Sequence, residues 1–110
     1  MSAEKLAIAN EILRTLGGGR FKVMTGAKNF LALDSGVRFT LPGWRGFCKD
    51  GINRVEVILD PSDTYTVIFA RIRKTKSGLY NSKVVAKISD VYNDALRGVF
   101  ESYTGLRTSL

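Results

Sequence analysis

Residues 52–74 read Ile52-Asn-Arg-Val-Glu-Val-Ile-Leu-Asp-Pro-Ser-Asp-Thr-Tyr-Thr-Val-Ile-Phe-Ala-Arg-Ile-Arg-Lys74, and this stretch decides the fold. Val55, Val57 and Leu59 alternate on one side of a first strand. Asp60-Pro-Ser-Asp63 follows as a four-residue turn whose second position suits the fixed φ of proline. Tyr65, Val67 and Phe69 then resume the alternation, so the two strands are expected to run antiparallel. Past Phe69 the same parity carries arginine. The second strand therefore either outruns the core or changes face at a bulge near Arg71-Ile-Arg-Lys74.

Upstream, Asp34-Ser-Gly36 reads as the connection between a run Phe30–Leu33 and the strand Val37, Phe39, Leu41, with Arg38 and Thr40 on its opposite side. Residues 20–25 also alternate, Phe21, Val23 and Thr25 against Arg20, Lys22 and Met24, and are expected as a strand ending at Gly26-Ala27. Before them, Leu6, Ala9, Ile12, Leu13 and Leu16 share one face of a helix over 3–16, with Ser2 as its cap, Glu4 in its first turn and Gly17–Gly19 as its stop. Downstream, 75–82 reads as a polar loop. Residues 83–88 read as a short strand, Val84, Ala86 and Ile88 on one side and Lys83, Val85 and Lys87 on the other. Ser89 or Asp90 is then the expected cap of a helix carrying Val91, Ala95, Leu96, Val99, Phe100 and Tyr103, closed by Gly105. The order predicts an α+β fold: an antiparallel sheet of five or six strands, with an N-terminal and a C-terminal helix packed on one face. Residues 1–110 are expected to form a single domain.

Composition narrows the chemistry. The 110 residues include 17 Lys and Arg against 10 Asp and Glu, a formal charge of +7, and no histidine, which removes the commonest general base and metal ligand. One cysteine, Cys48, excludes an intramolecular disulfide framework and the Cys-rich zinc arrangements. No apolar run approaches the roughly 18–20 residues that span a bilayer, and the start Met1-Ser-Ala-Glu-Lys lacks the pattern of a signal peptide. A cytoplasmic location without a membrane partner is the expectation.

Charge is unevenly spread. Between Thr64 and Ser89 lie six basic residues, Arg71, Arg73, Lys74, Lys76, Lys83 and Lys87, and no acidic one; Gly17–Leu33 adds Arg20, Lys22 and Lys28, again without acid. With helices on one face of the sheet, Arg20, Lys22, Arg38, Arg71 or Arg73, Lys83 and Lys87 can emerge on the other face or along its rim, where such a stripe would attract a polyanion through counterion release; Lys28, Lys74 and Lys76 are further candidates for the same role. The same residues also fit a solvated strand face whose lysines discourage edge pairing. Trp44, Phe47 and Tyr80, in expected loops beside Arg45, Lys49 and Lys76, are candidates for stacking on bases; Trp44 and Phe47 could equally fold back over the core.

Catalytic constellations are weak. Met24-Thr-Gly-Ala-Lys-Asn-Phe30 lacks the spacing of a phosphate-binding loop, and Gly26 and Asn29 fit a turn. Cys48 has no base, although Lys49 and Arg45 could lower its pKa, and Asp34, Asp50, Asp60 and Asp63 all fall in turns that favour Asp locally. No catalytic residue, metal ligand or cofactor is assigned, and the chain is not expected to be an enzyme.

Thr25-Gly-Ala-Lys-Asn-Phe30 after a glycine-ended helix, Ile52-Asn53 opening a strand, Asp63-Thr-Tyr-Thr-Val-Ile-Phe69, Val91-Tyr-Asn-Asp-Ala-Leu96 and Phe100-Glu-Ser-Tyr-Thr-Gly-Leu106 together resemble small proteins encoded by tailed bacteriophages and integrative mobile elements. The family carries no activity that transfers to particular residues. What it implies is a setting, the cytoplasm of a bacterial host cell. The resulting expectation is a basic accessory protein that binds nucleic acid through a positive sheet face. The alternative is a protein-interaction module that inhibits a host defence or replication complex, or a small component of phage assembly.

Overall fold

Alternation over residues 54–74 produces the expected strand pair. In the computed structural model, which describes residues 3–42, 48–106 and 108, β1 (Lys28–Leu33), β2 (Gly36–Thr40), β3 (Arg54–Leu59), β4 (Tyr65–Lys74) and β5 (Tyr80–Val91) form one sheet in that order. Every neighbouring pair is antiparallel. Val37, Val57 and Val67 stand in one cross-strand row and Phe39, Val55 and Phe69 in the next, all buried. These rows form the floor of the core. The chain is α+β, with α1 (Ala3–Leu16), α2 (Gly18–Thr25) and α3 (Leu96–Thr104) over that floor.

Phe39 sits at the centre of the core. Its ring lies 5.4 Å from that of Phe21, 5.5 Å from Phe30 and 6.2 Å from Phe100, and Phe21 meets Phe100 edge-on at 5.2 Å. Ala9, Ile12 and Leu16 of α1 close the cluster. Burying a ring of this kind contributes about 1.5–3 kcal/mol over leaving it in water.

Residues 20–25, expected as a strand, are the last six of the eight residues of α2. The period is four rather than two: Phe21 and Thr25 are buried, while Val23, which an alternating reading puts beside them, is 82% exposed. The Thr25 hydroxyl donates to the Phe21 carbonyl at 2.7 Å and accepts the Ala27 N–H at 3.2 Å, and Gly26 ends the helix at φ 70. α3 ends in the same way. Thr104 donates to the Phe100 carbonyl at 2.7 Å and accepts from Leu106 N–H at 3.2 Å, with Gly105 at φ 78. Phe-x-x-x-Thr-Gly is thus a helix exit used twice, its two phenylalanines facing each other in the core.

The other departures lie at β5. The strand begins at Tyr80, inside the expected loop, and runs to Val91, which pairs with Tyr65 across a register shift at Ser89-Asp90, with Asp90 at φ 58. Val91 therefore finds its burial on the sheet, and α3 starts at Leu96 after a short turn at Asn93–Ala95. A second shift sets Phe69 opposite Ala86 and Ala70 opposite Val84, leaving Val85 as the extra residue. Ser2 lies outside the described residues. Among those described, no helix is long and apolar enough to cross a membrane.

Candidate nucleic-acid interface

β3 stops before β4 does. Its last pairing is Arg54 with Ala70, and the next residue, Asn53, uses its side chain in place of a strand: Nδ2 donates to the Ile72 carbonyl at 2.9 Å and Oδ1 accepts the Ile72 N–H at 2.8 Å. Beyond that clamp β4 and β5 continue alone as a two-stranded arm. Its tip, Thr75–Leu79, is closed by Gly78 N–H donating to the Thr75 carbonyl at 3.0 Å, with Gly78 at φ 86. Of the two options left open by Arg71-Ile-Arg-Lys74, the extension past the core is the one present: β4 keeps its alternation through Lys74, and the extra residue lies on β5 and does not change the face of β4.

Strand alternation sorts the arm into two sides. Arg71 pairs with Lys83 and Arg73 with Asn81 on the helix side, the side of buried Phe69 and not the face away from the helices where a positive stripe was expected; Ile72 pairs with Ser82 and Lys74 with Tyr80 on the open side. Arg71 and Arg73 lie over the turn at Lys49–Gly51, where a Cβ on Gly51 would stand 3.0 Å from Arg71 Cδ and 3.7 Å from Arg73 Nη2. A cavity of about 260 Å³ opens there between Asp50, Arg71, Lys83, Val84 and Val85. Among the described residues none of Arg71, Arg73, Lys74, Lys76, Lys83 and Lys87 makes an ion pair. Arg71 and Lys83 are like charges directly opposite each other, an unfavourable arrangement that Asp50, in the same cavity but without an ion pair among the described residues, offsets only in part.

The remaining sequence candidates are dispersed. Arg20 and Lys22 are on a helix, not a strand, and the Lys22 ammonium sits 4.9 Å above the Phe30 ring. Lys28 opens the edge strand β1. Arg38 is on the open face but lies 3.7 Å from Glu56, in a row that continues to Ile68 and Lys87. The centre of the open face is therefore mixed rather than positive, with Leu31, Ile58 and Ile68 beside the Arg38–Glu56 pair. Lys83 and Lys87, expected on one side of a short strand, are put on opposite sides by the extra residue Val85. Trp44, Arg45 and Phe47 lie outside the described residues. Tyr80 is 75% exposed on the arm.

A larger cleft of about 590 Å³ lies on the open side, in the step between the arm and the ends of β1–β3, lined by Asn29, Thr40, Leu41, Asn53, Arg54, Ile72, Tyr80 and Ser82. Asn29 Nδ2 donates to Thr40 Oγ1 at 3.0 Å, and that hydroxyl donates to the Lys28 carbonyl at 3.2 Å. Arg54 Nε is shut off from solvent and has no hydrogen-bond partner, and no described residue pairs with its guanidinium. Sequence reasoning passed over Arg54; its only signal there was a basic residue at the first position of a strand whose other side is apolar.

Cys48 is buried, and burial pushes its thiol up to about 11, the opposite of the lowering that neighbouring Lys49 and Arg45 could have produced. Asp60 accepts a hydrogen bond from the Thr66 hydroxyl at 2.7 Å. Among the described residues no three acidic or thiol groups converge as a metal site. The chain matches no protein-family model, no curated protein and no solved structure.

Proposed function

We propose that this chain binds nucleic acid through the β4–β5 arm. The observation that carries the reading is Arg71 opposite Lys83, flanked by Arg73 and Lys74 and continued at the tip by Lys76, without an ion pair among the described residues. Phosphates lying along the arm would replace that repulsion with attraction and release their counterions. The proposal includes the setting that the resemblance to small phage and mobile-element proteins implies, an accessory role in the cytoplasm of a bacterial host, where nucleic acid is abundant. The test is binding by nuclease-treated protein to DNA and RNA at about 50 mM salt with release by about 300 mM. For about five phosphates, log affinity falls against log salt with a slope of roughly −3.5 on single strands. No shift of any nucleic acid at the lower salt overturns the proposal.

A second reading has its own observation. Leu31 is 42% exposed and Val84 58% exposed on the uncovered sheet face, with Ile58 and Ile68 between them. A protein partner seated there would survive nuclease treatment and be lost from an Ile68→Lys variant; a partner that depends on nucleic acid counts against this reading.

A further inference from the structure

The cleft beside the arm has the features of a site for one unpaired nucleotide. A paired base hides its faces in the stack, whereas a single strand can splay a base against an exposed aromatic ring. Tyr80 offers such a ring. It is 75% exposed, has no ring partner among the described residues, and stands at the edge of a cleft of about 590 Å³, inside the range of small-ligand pockets. Arg54 lines the same cleft, and its guanidinium donates to no described residue. Phosphate oxygens are acceptors that a planar guanidinium fits; the Nε, closed to water, is closed to them as well, so the terminal amino groups are the donors that a ligand in the cleft meets. Ser82, and Asn29 through the oxygen left over from its bond to Thr40, add a hydroxyl and an acceptor for a base edge. Lys74, paired with Tyr80 on the same side, adds positive charge at the entrance.

We infer that the arm-side cleft takes one nucleotide of a single strand, its base stacked on Tyr80 and its phosphate held by Arg54. This rests on the nucleic-acid reading and adds strandedness and an interior contact that the arm alone does not give.

The test is equilibrium binding of the full chain to a labelled oligothymidylate and to a blunt duplex, with Tyr80→Ala, Tyr80→Phe and Arg54→Gln variants. Tyr80→Ala weakens single-strand binding by about 5- to 100-fold and leaves the salt slope unchanged, because a ring neutralises no phosphate. Tyr80→Phe restores the affinity. Arg54→Gln weakens single-strand binding and reduces the salt slope by about one unit. Duplex binding is unchanged in all three. Wild-type affinity for the single strand in Tyr80→Ala overturns the inference while leaving the arm reading in place, and so does an equal loss on both substrates. A wild-type chain that binds neither oligonucleotide overturns the arm reading and this inference together. Tyr80 is exposed enough that its removal does not threaten the fold, so its result stands even if Arg54→Gln is poorly folded.

Discussion

Phe69 and Arg71 stand on the same side of the same strand. Phe69 is fully buried under α3, its ring stacked 5.2 Å from Tyr103, whereas Arg71 lies past the helix, half-buried over a turn. Backbone pairing continues through both, since β4 and β5 stay in register from Ala70 to Lys74. What changes is cover. In the body of the sheet the alternating residues are apolar because a helix lies on them; in the arm the same parity is basic, with only the Lys49–Gly51 turn beside it. The comparison teaches that alternation specifies a strand, while residue identity along it specifies how far the core extends.

The sharpest way to break the comparison is in the body. Phe39→Ala removes the ring that three other rings touch, and costs about 3–5 kcal/mol, of a total that for such domains is roughly 5–15. Urea denaturation measures it; a loss below about 1 kcal/mol would mean that the aromatic cluster is not the core. Gly36→Ala comes next. A Cβ there collides with the Val57 carbonyl oxygen on the neighbouring strand, so either the β2–β3 pairing shifts or the residue strains, at about 1–3 kcal/mol.

Thr104→Val is smaller. It deletes a fully buried hydroxyl that links the Phe100 carbonyl to the Leu106 N–H, and a loss of about 1 kcal/mol is expected, with Thr25→Val similar at the other helix exit. Cys48 reports on the body alone. With its folded thiol ionising at about 11 against an ordinary 9.0, deprotonation favours unfolding, so the stability this group lends is complete below pH 9 and is lost as the pH rises towards 11. At pH 8 alkylation of the folded chain should be on the order of a hundredfold slower than that of the urea-unfolded chain.

The strands of the body were legible because Val55, Val57, Val67 and Phe69 are buried in the alternation that the sequence displays. α2 was not, because Phe21, Val23 and Thr25 satisfy a period of two as well as Phe21 and Thr25 satisfy a period of four, and only tertiary contact with Phe39 and Phe100 selects the helix. The start of α3 was misread for a related reason: Val91 is apolar at a position that either a strand end or a first helical turn would bury. The basic run 71–87 was visible as composition, but its division between two sides depends on the extra residue at Val85, which no turn residue announces. Arg54 was passed over because its isolation is a property of the step where β3 ends.

The weakest effect on stability is expected from the arm, and it separates the two regions most cleanly. Replacing Arg71, Arg73 and Lys74 together with Ala removes no core contact, so urea denaturation should change by at most about 0.5 kcal/mol per substitution. Two opposed contributions set the sign. The Arg71 stem packs over Gly51 and is lost, whereas its repulsion of Lys83 is relieved. Salt distinguishes them, since screening weakens repulsion and leaves packing alone. Raising salt from about 50 to 300 mM should therefore stabilise the wild type more than the triple variant, while the same substitutions flatten the salt slope of nucleic-acid binding by about two to three units. A triple variant as unstable as Gly36→Ala would show that the arm belongs to the body after all, with its charges held in place by the fold rather than held out for a partner.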